Sequence, residues 1–376
     1  MMKKVRVGVV GCGFISRIYF ENSKIFNVFE ITACADLDIN RAKEKAMQYG
    51  ILKAYSTEEL IADPDIDLVL NLTIPSVHAE VAINALKSGK HVYGEKPLAV
   101  TREEAQQIMR IAEEKGLHVG NAPDTFLGGG LQTTRKLIDD GWIGTPVSAV
   151  AFMMNHGHEH WHPDPGFYYQ KGGGPMFDMG PYYITALISL MGPVKRVTGS
   201  TNITFNERII LSEPKNGEKI QVHTPTQING VMDFENGAVA SIITSFDTWY
   251  HQLNNIEIYG TEGSIVVPDP NTFEGPIHIR RQGQEEWSQI PLTHGFANNS
   301  RGIGLADMAH SILNNKTPRA NGALAYHVLD IMHGFHEASD TSRHYETHSK
   351  CEQPKPLPTG ISEHNFNEWM DAPNAE

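Results

Sequence analysis

Residues 5–16 read VRVGVVGCGFIS, a valine-rich run that breaks into glycines and then into a helical pattern. A strand that turns at once into a helix through glycines has few folds open to it. Gly11 permits the tight turn, and Gly13 lets the backbone approach a diphosphate. Ser16 is small enough for the helix to pack closely on its strand. The pattern then repeats. Runs rich in Val, Ile and Leu, with little polar alternation, fall at 4–11, 30–36, 66–73, 90–96 and 117–122, as buried parallel strands should read. Helical patterns separate them. One stops at Gly50, and Ser56 with Glu59 and Thr101 with Glu104 have the spacing of capping boxes. Repeated strand–helix units imply an α/β doubly wound fold, a parallel sheet with helices on both faces.

After about residue 122 the pattern changes. One more helix follows at GGGLQTTRKLIDDGWIG, and strand and turn signals dominate from Thr145. Residues 226–246 read as a hairpin turning at Asn236–Gly237, and 254–267 as another turning near Gly260–Gly263. Two helical stretches and a proline-rich tail from Lys350 close the chain. The expected division is a Rossmann-type nucleotide-binding domain over 1–122 and an α+β domain over 123–376. The second carries a large, open, mostly antiparallel sheet, for substrate binding and oligomerisation. Its C-terminal helices have the option of packing back on the first domain.

Charge excludes some partners. With 31 basic and 44 acidic residues the net charge is 31 − 44 = −13, which argues against a primary role on nucleic acid or an anionic membrane. No apolar run is long enough to span a bilayer. The lysines before the first apolar run suggest a signal peptide only superficially, because that run enters the glycine motif. Cys12, Cys34 and Cys351 are far apart and form neither a metal-type pair nor a disulfide framework. A reducing cytoplasm is the expected home.

The glycine motif gains weight from Asp36, which ends the second strand twenty residues after Ser16. There an acid can bind the adenine ribose diol and repel a 2′-phosphate, so NAD is favoured over NADP. The diphosphate would sit at the N-terminus of the following helix, over the loop that holds Phe14 and Ile15. A glycine turn without ligand, with Asp36 as a capping acid, is the bland alternative.

Four segments resemble the Gfo/Idh/MocA oxidoreductases, named for glucose–fructose oxidoreductase and inositol dehydrogenase. They are the glycine motif, TIPSVH at 73–78, GKHVYGEKP at 89–97 and GGGPMFDMGPYY at 172–183, in the family's order and spacing. The resemblance implies that Thr73, Pro75, His78 and Glu95 lie by the cofactor. It implies that Lys96 is the catalytic lysine, that Pro97 follows a cis bond and that Asp178 is the site's acid. Tyr182 falls where the family's proton-handling residue stands, so the chain looks like the Asp-x-Gly-x-Tyr subclass. The physical reading agrees. As hydride leaves a carbinol carbon the hydroxyl proton must leave too. A tyrosine is a poor base at its ordinary pKa near 10, and a lysine ammonium nearby favours its phenolate. Asp178 and Tyr182 are four apart, one face of a helix if a helix covers both, whereas Pro181 suggests that the helix begins there.

One place departs from the family. Many members carry an arginine and an aromatic after the sixth strand, where this chain has Asp124 in NAPDTFLGGG. An acid suits substrate hydroxyls, or caps the helix that follows.

Residues 155–163, NHGHEHWHP, place His156, His158, His160 and His162 at alternate positions. If the stretch is extended, the four share one face, with Glu159 and Trp161 opposite. Zinc needs three or four donors to converge, which parallel side chains do not do, so no metal is expected. His158, His160 and His162 are expected instead as donors and acceptors for a polyhydroxylated substrate, with Trp161 as an apolar plate. A structural loop remains the other reading.

Together these features point to an NAD-dependent sugar or polyol dehydrogenase acting on a CH–OH group; the resemblance to the tyrosine subclass implies the anomeric C1 of an aldose, and assembly as a homodimer or homotetramer is expected. Two alternatives stay open: an NAD-dependent glycosidase or isomerase with transient oxidation, and a non-catalytic NAD-sensing regulator.

Overall fold

A computed structural model describes residues 4–366. The described chain divides into two compact units. Residues 4–129, 293–326 and 354–366 form the first, and 130–292 with 327–353 form the second.

The first unit holds a six-stranded, all-parallel sheet. Its strands are β1 (Val5–Val10), β2 (Phe29–Ala35), β3 (Lys53–Tyr55), β4 (Leu68–Asn71), β5 (His91–Gly94) and β6 (Val119–Asn121), in the order β3-β2-β1-β4-β5-β6. Sequence order reverses at β1, so the loops after β1 and β4 leave neighbouring strands. In such sheets the switch point, at the carboxyl ends of the strands, is where ligands bind. Val7, Val9, Leu68 and Leu70 are fully buried, as strands covered on both faces require. The helix Ile39–Tyr49 stops at left-handed Gly50, and both capping boxes are closed, Ser56 with Glu59 and Thr101 with Glu104. β3 is the strand the sequence did not signal, since its three residues, KAY, form no apolar run.

One continuous domain over 123–376 is not how the chain clusters, because two later segments belong to the first unit. Backbone pairing shows part of the reason. The Asn121 N–H donates to the Ala320 carbonyl at 3.0 Å, and Gly120 bridges Asn321, so a later segment extends the edge of the first sheet. Residues 367–376 of that expected domain lie outside the described residues.

The second unit is built on a nine-stranded sheet. Strands β7 (Pro146–Met154), β8 (Val194–Asn202), β11 (Gln227–Phe234), β12 (Val239–Ser245), β13 (Ile256–Gly260), β14 (Gly263–Val267), β15 (Ile277–Arg281), β16 (Ser288–Ile290) and β17 (Tyr345–Glu346) take the order β16-β15-β14-β13-β7-β12-β11-β8-β17. Only the β7–β12 pair is parallel. β9 (Glu207–Ile209) and β10 (Lys219–Gln221) form a separate hairpin. Ile228, Met232 and Phe234 of β11 are fully buried at alternate positions, so one face of the sheet is covered. The helix Gly174–Met191 packs on β7, β11 and β12. Ile184, Leu187, Ile188 and Leu190 point to different sides of it and all are buried, as an apolar helix inside a core requires.

Candidate active site

In the first unit the glycine loop has the geometry its sequence demands. Gly11 has φ +100°, and a Cβ there would stand 2.6 Å from the Leu72 carbonyl oxygen at the end of β4. Only glycine fits. A Cβ on Gly13 would meet nothing within 4 Å, so the backbone there faces open space. Phe14 is almost fully exposed, whereas Ser16 is buried and its hydroxyl donates to the Gly13 carbonyl at 2.7 Å. No side chain caps the helix Ser16–Asn22, and its first two N–H groups, of Ser16 and Arg17, bond the Gly13 and Phe14 carbonyls at 3.2 and 3.4 Å, so the donors offered to a ligand are the N–H groups of Gly13, Phe14 and Ile15 in the loop before it. This donor set fits a dinucleotide diphosphate.

Asp36 lies beneath the loop. Its carboxylate accepts from the Cys12 N–H at 2.8 Å and the Asp38 N–H at 2.9 Å, and Arg41 pairs with it at 3.2 Å. The arginine is half-exposed. With a guanidinium against it, Asp36 does not by charge alone decide between NAD and NADP.

Thr73 and Pro75 follow β4. The Thr73 hydroxyl donates to Asn71 Oδ1 at 2.6 Å, and Pro75 opens a single 3-10 turn. His78 is buried, with Nδ1 2.7 Å from the Pro97 carbonyl and Nε2 3.0 Å from the Thr73 carbonyl. Burial lowers its pKa. Its single N–H can donate to one of these carbonyls while the other ring nitrogen faces the second, so it sits between two loops of the site. Glu95 is held likewise, accepting from the Tyr19 hydroxyl at 2.8 Å and the Lys96 N–H at 3.2 Å. Lys96 is half-buried just after β5, and its bond to Pro97 is cis, as the resemblance implies.

Asp124 does not turn to a substrate. It is buried, and one carboxylate oxygen accepts from the N–H groups of Gly302 and Gly304, at 2.8 and 3.1 Å, where the helix Ile303–Asn314 begins. Burial raises its pKa to about 6. It serves a helix N-terminus, one 178 residues on from it and not the helix that follows it in sequence. A separation of that kind leaves no local signal.

In the second unit Asp178 and Tyr182 both lie on the helix Gly174–Met191. Pro181 does not start this helix. Pro175 stands in its first turn and Pro181 is accommodated inside it, so the acid and the phenol are one turn apart on one face. Tyr182 is 8% exposed. Its neighbour Tyr183 is more deeply buried, and its hydroxyl accepts from Asn255 at 2.7 Å.

The histidine stretch is a turn and not a strand. Gly157 has φ +83°, and the N–H of His162 donates to the His158 carbonyl at 3.0 Å. The expected single face is therefore broken up. His158 turns inward and its Nε2 lies 3.0 Å from Asp178 Oδ2. His156 stacks on Trp249 at 3.5 Å. His160 and Trp161 are exposed, and His162 Nδ1 accepts from the Asp164 N–H at 3.0 Å. Among the described residues no three His, Cys, Asp or Glu side chains are gathered to hold a metal ion.

Glu159, expected on the opposite face, is buried and pairs with Arg208 of β9 at 3.1 Å. Arg208 also pairs with Asp247 and donates to the Phe246 carbonyl at 2.8 Å. Tyr169 lies under the guanidinium, and burial together with Glu159 raises its pKa. The charged cluster that anchors the turn was not legible in sequence, because Glu159 and Asp247 stand 49 and 39 positions from Arg208.

The comparisons agree with this fold. Residues 5–122 match the model for an oxidoreductase family with an NAD-binding Rossmann fold, and 131–266 match a GFO/IDH/MocA C-terminal domain. A 1,5-anhydro-D-fructose reductase of Ensifer adhaerens is 27% identical over 291 residues, 76% of this chain and 83% of that protein. An NAD-binding oxidoreductase from Klebsiella pneumoniae superposes with a TM-score of 0.82 at 21% identity, covering 93% of this chain and all of that one. A levoglucosan dehydrogenase in complex with NADH and levoglucosan gives 0.78 at 23% identity, covering 92% and 99%. No helix among the described residues is long and apolar enough to cross a membrane.

Proposed function

Because this chain belongs to the Gfo/Idh/MocA oxidoreductases, nicotinamide-dinucleotide enzymes that act on sugar hydroxyl groups, we propose that it is an NAD-dependent dehydrogenase of a sugar or polyol. It is of the tyrosine subclass, and the carbon oxidised is the anomeric C1 of an aldose. The observation that carries the reading is Asp178 and Tyr182 one turn apart on a buried helix, with His158 bonded to the acid.

Gly11, Gly13, Phe14 and Ile15 would cradle the diphosphate and Asp36 the ribose, while Thr73, Pro75 and Glu95 line the cofactor's other half, with His78 behind them. NAD, when bound, supplies the hydride acceptor. Tyr182 takes the hydroxyl proton as the C–H bond breaks. Lys96 brings the positive charge that favours phenolate. Asp178 accepts from a substrate hydroxyl and from His158, so the imidazole is held for a further hydroxyl. His160, His162 and Trp161 complete the substrate contacts. The assembly is a homodimer or homotetramer in the cytoplasm.

The test is NADH absorbance with a panel of aldoses, inositols and alditols, for wild type and for Lys96→Met and Tyr182→Phe. Turnover is expected in the wild type and lost in both variants, with NAD still bound. Wild-type rates in both variants would sink the assignment. A flat trace from wild-type protein that binds NAD would point to closed-cycle chemistry.

A further inference from the structure

We propose that the second unit carries a subsite for a second sugar ring, so that the substrate is a reducing disaccharide, with a free anomeric hydroxyl on one ring, and not a free monosaccharide. This rests on the dehydrogenase reading above.

The turn at 158–162 and the short helix Pro165–Tyr169 bring five rings into one continuous cluster. His158 lies 4.0 Å from Tyr168, and Tyr168 lies 4.1 Å from Phe167. His162 contacts Phe167 at 5.4 Å and Trp161 at 5.3 Å. The inner end is tied to the site, since His158 is bonded to Asp178. The outer end is open, with Trp161 and Phe167 each 54% exposed. Two large rings left half in water beside a polar site mark a surface that gains by being covered.

The rim tells what covers it. Asp164, whose N–H is fixed by His162, forms a 2.8 Å ion pair with Lys215, and both side chains are open to solvent. Aromatic faces flanked by exposed donors and acceptors match a sugar ring, which has C–H faces and hydroxyl edges. An apolar peptide would leave that ion pair facing apolar surface. The shelf begins at the side chain that contacts Asp178 and runs outward, so it takes the ring next to the one being oxidised.

The experiment compares Phe167→Ala and Phe167→Trp with wild type, using NAD with glucose, galactose and xylose and with the reducing disaccharides cellobiose, maltose and lactose. A disaccharide should show a lower KM than its monosaccharide. Phe167→Ala should raise the disaccharide KM about tenfold, the loss of one aromatic contact, and leave the monosaccharide KM unchanged. Phe167→Trp should retain the preference. Equal effects on both classes, or none, would overturn the shelf while the dehydrogenase stands. If no sugar is oxidised, the dehydrogenase reading falls, and tryptophan quenching by the same disaccharides decides the shelf. Saturable quenching that Phe167→Ala weakens sustains it, and its absence overturns it.

Discussion

Arg208→Met should destabilise the second unit far more than an ordinary surface change. The Arg208 side chain is 5% exposed, and its partners Glu159 and Asp247 are each 7% exposed. Methionine keeps most of the side-chain volume and removes the charge. Two buried carboxylates then lose their cation, and breaking a buried pair in this way costs about 3–5 kcal/mol. Asp247 retains one donor, the Thr226 hydroxyl at 2.7 Å. Four of the five tryptophans, at 142, 161, 249 and 287, lie in the second unit, so urea denaturation followed by tryptophan fluorescence reports mainly on it. With a denaturant dependence of about 2 kcal/mol per molar, the midpoint should fall by about 2 M. A fall of less than about 0.5 M would refute the idea that these carboxylates depend on Arg208. The triple variant Arg208→Met, Glu159→Gln, Asp247→Asn carries no buried charge there and should recover most of the loss. Failure to recover would assign the cost to lost packing against Tyr169 and Phe205, whose rings lie 5.4 and 5.0 Å from the guanidinium.

Two further outcomes follow from the first unit. Asp124 has a folded-state pKa of about 6, above its unfolded value, so the native state holds the extra proton. Stability is therefore present at about pH 4 and lost as pH rises through about 6, by up to about 3 kcal/mol. Asp124→Asn should lack this fall, and parallel melting-temperature profiles for the two proteins between pH 4 and 8 would refute the assignment. Gly11→Ala should abolish NAD binding and lower stability by about 1–3 kcal/mol for the backbone strain alone, read by dinucleotide titration and thermal melting. Unchanged NAD affinity would show that the turn tolerates a Cβ.

What could be read in the sequence was whatever is encoded locally. Gly11 reports its own positive φ, Ser56 and Glu59 report a helix start, and Asn236–Gly237 reports a hairpin, because each conformation is decided by atoms a few bonds apart. The parallel sheet was legible for a similar reason, since strands covered on both faces must be apolar throughout. Asp178 and Tyr182 were visible as a pair. Whether they share a face depended on Pro181, and the packed helix tolerates it where local propensity would have begun a new one. The remaining features arose from contacts between distant segments, which no periodicity encodes. Alternating histidines at 156–162 suggested a strand face, but Gly157 and the buried Arg208–Glu159 pair fold the stretch into a turn that sends His158 to Asp178 and leaves Trp161 in solvent. Asp124 looked like a substrate acid until a helix start 178 residues away took its carboxylate. Sequence determined which local conformations were affordable; tertiary packing decided which polar groups were buried against which partners, because only there does leaving one unpaired carry a large energetic cost.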